Sequence, residues 1–248
     1  MSFAEPTLDS RIPALDPAGS ALFLDLDGTL APIVLRPDAV GPDARRTGLL
    51  RRLVASTRGR VAVVSGRTLA DLDRILEGQV VPLAAIHGLV RRDAQGRILK
   101  SVAPAGLARA LAEFRAFAAR HPGLIVEDKE LSITLHYRQA PEWASAAQAC
   151  ALQVAAEAGL EVQPGKMVME LRAAGPDKGD SVRAFMADPG FAGALPIFLG
   201  DDLTDEAGFT AVEALGGFGV LVGPARPTTA RYRLADPEAA LTWLEAAP

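Results

Sequence analysis

This chain has almost no cysteine, no excess of positive charge and no long apolar run, and each absence removes a class of protein. Cys150 is the only cysteine in 248 residues, so no internal disulfide can form. A single thiol fits a reducing compartment, and in its alanine-rich stretch Cys150 reads as core filling. The formal net charge is −4, which leaves no basic field for a nucleic-acid backbone. No apolar segment approaches the ~20 residues of a membrane-spanning helix. The first twenty residues carry neither a basic start nor an apolar stretch of the kind that directs export. A cytoplasmic protein is therefore expected, without nucleic-acid or membrane partners. Lysine is scarce too: Lys100, Lys129, Lys166 and Lys178 are the only lysines among 26 basic residues. Arginine presents a flat fork and lysine a compact charge on a flexible stem. A lysine in this arginine-rich chain marks a place that asks for the compact charge.

Apolar residues make up 49% of the chain, enough for one sizeable core or one core with an inserted domain. The organising stretch is residues 21–30, ALFLDLDGTL, an apolar run that ends in Asp25, Asp27 and a Gly-Thr turn. A short apolar run closed by a turn signal reads as a buried strand of a parallel sheet. Residues i and i+2 of a strand share a face, so the two carboxylates are expected to converge where that strand ends.

Strands and helices then alternate. Residues 1–20 are a proline-bearing irregular lead-in, and 31–41 form a loop. A helix is expected over 43–57, a strand over 61–64 ending in Ser65-Gly66-Arg67, and a helix capped by Thr68. A strand over 83–86 follows, ending in His87-Gly88, and then a small hairpin turning at 93–96. The rhythm changes at that point. Helix 105–120, strands 124–127 and 131–137, helix 141–158 and strands 160–163 and 166–172 repeat a helix-strand-strand pattern, an α+β block. Alternation returns with a helix from Lys178, a strand over 196–199 ending in Gly200-Asp201-Asp202, and a helix capped by Thr204. A strand over 217–222 and a helix over 237–244 close the chain. No tandem repeat or low-complexity tract is present. The division expected is an α/β core of residues 1–100 and 175–248 with an inserted α+β domain of residues 101–174.

Four polar clusters fall after strands or at a helix start: Asp25 with Asp27, Ser65, Lys178, and Asp201 with Asp202. Open α/β sheets place ligands at the carboxyl ends of their strands. Singly, Ser65-Gly66 could be a turn, Lys178 a solvated first-turn lysine, and Asp201-Asp202 a helix-start pair. Together they suit one reaction. A carboxylate can attack phosphorus and a second can carry the proton. Mg²⁺ takes few carboxylates with waters and phosphate oxygens, and Asp25 and Asp201 would supply them. A hydroxyl and an ammonium can hold the remaining oxygens.

These clusters resemble the four motifs of the haloacid dehalogenase-like phosphohydrolases. The resemblance implies that Asp25 is the nucleophile and Asp27 the general acid and base, with Ser65 and Lys178 holding phosphate. It implies Mg²⁺ on the Asp25 side chain, the Asp27 carbonyl and Asp201. It also implies a Rossmann-like parallel sheet in the order 5-4-1-2-3, with an inserted α+β cap between the second and third motifs. DGTLAPIV (27–34), SGR (65–67), HG (87–88), EDKELSITLHYR (127–138), GKMVMEL (165–171), DKG (177–179) and GDDLTDE (200–206) are similar to the trehalose-6-phosphate phosphatases. Val90 and Ala173 depart from that family's usual glutamate and proline. The resemblance implies hydrolysis of a small sugar phosphate, trehalose 6-phosphate; separately, a monomer is expected. Another sugar phosphate, such as sucrose 6-phosphate or a glycosylglycerate phosphate, and a non-catalytic sensor are the alternatives.

Substrate contacts are expected from Gly66, Arg67 and His87 near the phosphate and from Glu127, Lys129 and Glu170 in the cap. Carboxylates with one ammonium suit sugar hydroxyls, which both donate and accept. An alternating charge pattern also protects a solvated strand edge, so both readings of the three cap residues stand. His87 could equally be a packed loop residue, and His121 and His136 read as structural.

Overall fold

The computed structural model of the protein describes residues 11–247; the first half of the expected lead-in lies outside them. The chain forms two compact units, one running up to Leu99 and resuming at Pro176, the other Lys100–Gly175.

The first unit opens with β1, Ser20–Leu24, every residue of which is buried. α1 (Ala44–Ser56), β2 (Val61–Val64), α2 (Leu69–Leu76), β3 (Leu83–Ala85), β4 (Val90–Arg92) and β5 (Ile98–Lys100) follow. The second unit contains α3 (Leu107–Ala119), β6 (Ile125–Asp128), β7 (Ser132–His136), α4 (Ala144–Ala158), β8 (Glu161–Gly165) and β9 (Val168–Arg172). The first unit then resumes with α5 (Lys178–Met186), β10 (Leu195–Gly200), α6 (Glu206–Ala214), β11 (Phe218–Val222), β12 (Tyr232–Leu234) and α7 (Pro237–Glu245).

The large sheet has the order β12-β11-β10-β1-β2-β3-β4-β5. Its parallel centre, β11-β10-β1-β2-β3, is the order expected, with β1 in the middle. β12 adds a further parallel strand, and β4 runs antiparallel on β3. Phe23 of β1 packs between Phe185 and Phe191, with ring centroids 6.2 and 6.0 Å away, so the strand is anchored by aromatic burial from α5 and the loop after it. Because β1, β2 and β10 are parallel and adjacent, their carboxyl ends share one edge. The residues after those ends, Asp25, Ser65 and Asp201, are thereby delivered to one place.

The second unit pairs its strands antiparallel in the order β6-β7-β9-β8. Phe114, Ile133, Leu135, Ala147, Ala151 and Leu171 form its own buried core. The register aligns Glu127, Thr134, Glu170 and Gln163 in one row across four strands. Side chains at paired positions lie on the same face, so that row is a polar band across one face of the sheet.

Two local expectations are corrected, and one strand is added. The strand that starts at Leu83 stops at Ala85, and Ile86–Gly88 form a 3-10 turn in which Ile86 and His87 have φ of 48° and 55°. The helical segment after β10 is capped by Asp202, not Thr204: Asp202 and Asp205 exchange side-chain bonds in a capping box, and Asp205 then precedes α6. β12 is three residues long and only half-buried, too short and too mixed for a period-2 signal to show.

Candidate active site

The chain leaves β1 at Leu24, and the Leu26 carbonyl at once accepts from the amides of Thr29, Leu30 and Ala31. The strand therefore gives way to a tight loop at the first aspartate. The Asp25 and Asp27 carboxylates take separate partners. The Lys178 ammonium donates to Asp25 Oδ1 at 2.9 Å, whereas Asp27 is held by Arg67, Nε to Oδ2 at 2.6 Å and Nη2 to Oδ1 at 2.7 Å. Arg67 Nη1 donates to the Pro37 carbonyl at 2.8 Å, which fixes the guanidinium plane.

Lys178 is the first residue of α5, placed there by a capping box between Asp177 and Asp180. Its ammonium also donates to Asp205 Oδ1 at 2.6 Å. The other oxygen of Asp205 accepts from the backbone amides of Asp201 and Asp202, at 2.9 and 3.0 Å. Asp205 therefore ties the lysine to the end of β10. Gly28, at φ +89°, packs against Asp201, whose Oδ2 would lie 2.1 Å from a Cβ built there. Only a residue without a side chain lets Asp201 approach the loop after Asp25 so closely.

Ser65 is buried; its Oγ accepts from the Arg67 amide at 3.3 Å, and its carbonyl accepts from the His87 amide at 2.9 Å. A Cβ at Gly66 would sit 2.4 Å from His87 Nε2, so the imidazole packs directly on the Ser65-Gly66-Arg67 turn. The structure thus brings Asp25, Lys178, Asp201 and Asp205 into one cluster, while Asp27, two residues on from Asp25, is paired with Arg67. Ser65, Gly66 and His87 form the wall beside Arg67.

Carboxylate oxygens of Asp25, Asp201 and Asp205 lie within 4.8 Å of one another, all on buried residues. Burial pushes the Asp25 carboxyl well above its usual range, and Asp205 and Asp201 push it further, against the pull of Lys178. Burial favours loss of the Lys178 proton, yet Asp205 and Asp25 outweigh it and hold the ammonium more firmly than usual. One ammonium thus faces three carboxylates, a buried imbalance that a divalent cation can relieve. The donor set is all oxygen, which suits a hard cation rather than zinc. Asp205 already serves Lys178 and two amides, so Asp25 and Asp201 are the side chains that fit as ligands.

In the second unit, Lys129 Nζ donates to Glu170 Oε2 at 3.3 Å and lies 3.8 Å from Glu127 Oε2. Thr134 Oγ1 donates to the same Glu170 oxygen at 3.3 Å, and His136 Nε2 is 2.8 Å from Glu127 Oε2. Burial would raise the Glu127 carboxyl, but His136 and Lys129 bring it below its ordinary value. The three expected cap residues are therefore together and largely buried, unlike a solvated edge. His121 stacks on Phe117 and meets Trp143 edge-on. His136, read as structural from the sequence, supports the polar band through its bond to Glu127. Asp205 was the residue missed; its spacing of four from Asp201 after a Gly-Asp pair was the available signal.

The largely parallel sheet, with these carboxylates gathered around one lysine at the carboxyl edge of its central strands, has the fold of phosphatases of the haloacid dehalogenase-like superfamily. A phosphatase of that superfamily from Bacteroides thetaiotaomicron shares the fold at 14% identity, with a TM-score of 0.60, over 94% of this chain and 96% of that one. A family model described as trehalose-phosphatase matches residues 23–238, and the chain belongs to that family. Trehalose-6-phosphate phosphatase of Escherichia coli is 40% identical over 228 residues, 91% of this chain and 85% of that protein. The C-terminal domain of the trehalose-6-phosphate phosphatase of C. albicans superposes with a TM-score of 0.83 at 26% identity, covering 94% of this chain and 96% of that one. No helix among the described residues is long and apolar enough to cross a membrane.

Proposed function

We propose that this protein hydrolyses trehalose 6-phosphate to trehalose and inorganic phosphate through an aspartyl-phosphate intermediate. The observation that carries the reading is Asp25, buried at the end of the central strand and held by Lys178 among Asp201 and Asp205. A buried nucleophile that is already oriented avoids the entropy cost of positioning at the moment of reaction.

In the first step an Asp25 carboxylate oxygen attacks phosphorus and the bond from phosphorus to the sugar oxygen breaks. Asp27 delivers a proton to that leaving oxygen. In the second step water attacks the acyl phosphate, Asp27 takes a proton from it, and Asp25 is released as carboxylate. Lys178 and Ser65 hold equatorial oxygens of the transferring group, where negative charge spreads in the transition state. Mg²⁺ held by the Asp25 and Asp201 side chains and the Asp27 carbonyl would offset the repulsion between carboxylates and phosphate. Both Asp27 oxygens accept from Arg67 in the resting arrangement. One of those bonds must be given up or shared for Asp27 to serve the leaving oxygen, so Arg67 acts through Asp27 as a positioning residue.

The unit of residues 100–175 is the part we assign to sugar selection, through Glu127, Lys129 and Glu170. The test is phosphate release from trehalose 6-phosphate, sucrose 6-phosphate and glucose 6-phosphate, each with and without Mg²⁺. Preference for trehalose 6-phosphate with an absolute Mg²⁺ requirement is expected. Equal rates on all three would leave a general sugar phosphatase, and no release would leave a sensor.

A further inference from the structure

Arg226 lies in the connection between β11 and β12, outside the residues to which the reaction has assigned roles. Its guanidinium reaches back to the acidic end of β10. Nη2 donates to the Asp202 carbonyl at 2.8 Å, while Nη1 donates to Glu206 Oε1 and to the Pro227 carbonyl at 3.0 Å. Glu206, the first residue of α6, gathers the same connection: its Oε1 accepts from Thr228 Oγ1 at 2.8 Å. Its Oε2 accepts from the Thr229 amide at 2.8 Å and from Thr229 Oγ1 at 2.9 Å.

The Asp201-Asp202 segment is therefore gripped from two sides. Asp205 takes both of its N–H groups, and Arg226 takes the Asp202 carbonyl. β10 fixes only the near end of this segment, which leaves the β ladder at Gly200. Beyond it, each free backbone torsion would have to be ordered when a ligand arrives, at an entropic cost. Groups that orient metal ligands from behind are known to carry a large share of affinity. Arg226 bridges a carbonyl and a carboxylate with one rigid fork, whose fixed geometry a flexible lysine reproduces only in part.

We propose that Arg226 and Glu206 are positioning residues that hold the Asp201-Asp202 backbone in place and thereby raise the affinity of the acidic cluster for a divalent cation. The inference rests on the reading that this cluster takes Mg²⁺. A built-in control exists at the far end of α6, where Glu213 pairs with Arg231 at 2.9 Å and ties the same helix to the same connection.

The experiment is calorimetric titration of the metal-stripped full chain with MgCl₂. Arg226→Ala and Glu206→Gln should weaken binding about 10- to 100-fold, the usual cost of losing a group behind a metal ligand. Arg226→Lys should recover part of the loss. Glu213→Gln should bind as wild type does. Arg226→Ala leaves the threonine bonds to Glu206 in place, and Glu206→Gln keeps the side chain's shape, so the test survives if one variant does not fold. Unchanged affinity in the folded Arg226 and Glu206 variants overturns the inference, as does an equal loss in Glu213→Gln. A wild-type protein that does not bind Mg²⁺ overturns the cation reading, and this inference with it.

Discussion

Arg67 grips Asp27 by both carboxylate oxygens, at 2.6 and 2.7 Å, although forty residues separate the two in the chain. The pair is largely withdrawn from water on the arginine side, whose side chain is 9% exposed. A bidentate charge-assisted pair of this kind fixes orientation as well as charge. Arg67→Ala should lower kcat on trehalose 6-phosphate by about 10²-fold, the scale of a misplaced catalytic group. Arg67→Lys should restore little, because one ammonium cannot match the fork. The loss should be larger on phenyl phosphate than on p-nitrophenyl phosphate, two esters of similar size. The nitrophenolate leaves readily without a proton, so it makes less use of Asp27. Equal losses on the two esters would place Arg67 outside the proton-transfer step.

Asp25→Asn should abolish turnover while the fold persists, since an amide neither attacks phosphorus nor ligates a cation well. Retention of near wild-type phosphate release by this variant would remove Asp25 from the chemistry.

Lys178 is 3% exposed and bridges Asp25 and Asp205. Lys178→Met should destabilise the metal-free protein by about 3–5 kcal/mol, because buried carboxylates lose their counter-ion. Added Mg²⁺ should return part of that stability without returning activity. Lys178→Arg should also be inactive, since the larger fork does not fit between two carboxylates spaced for an ammonium. Thermal melts with and without Mg²⁺, alongside phosphate release, check both statements. An active Lys178→Arg would make the lysine a simple counter-ion.

Glu127 links acid stability to the polar band. Its carboxyl lies below the ordinary 4.5, because bonds to His136 and attraction to Lys129 outweigh the effect of burial. A depressed folded-state value contributes stability above the unfolded value and loses it as pH falls through the folded value. The melting-temperature gap between wild type and Glu127→Gln should therefore be full at pH 7 and shrink as pH drops below about 4.5. A gap that is constant from pH 7 to pH 3 would show that Glu127 contributes shape rather than charge.

Much of this was legible from residue order. The buried run through β1, the helix from Lys178 to Met186 and the paired helix-strand-strand block follow from apolar period, caps and turn residues, which act locally. The grouping of Asp25, Ser65, Lys178 and Asp201 was legible as well, but the particular bonds between distant side chains were not. Nothing periodic connects Lys178 with Asp25, 153 residues away, or Arg226 with Asp202. The different partners of the Asp25 and Asp27 carboxylates escaped because the strand ends one residue before the first aspartate, in a loop where three amides converge on the Leu26 carbonyl. The bond from His136 to Glu127 was hidden because it depends on register, which sets the two diagonally across from each other.

Substrate choice is the last consequence. Phosphate and metal are common to every phosphate ester, so groups that hold them cannot tell trehalose from glucose. That discrimination has to come from contacts to hydroxyls, and the inserted unit offers Lys129 and Glu170 as a pair with side chains 9% and 4% exposed, with Glu127 beside them. A single replacement is a poor test, because removing one partner strands the other charge in a buried place at a cost of about 3–5 kcal/mol. Replacing Glu127, Lys129 and Glu170 together with alanine removes both signs at once. The triple variant should lose kcat/KM for trehalose 6-phosphate by about 10⁴-fold, the scale seen when a site built to bond hydroxyls loses that bonding. Its hydrolysis of p-nitrophenyl phosphate should stay near wild type, since that ester has no sugar to bond. Parallel losses on both esters would assign the three residues to folding, and no loss on either would return them to a stabilising charge cluster.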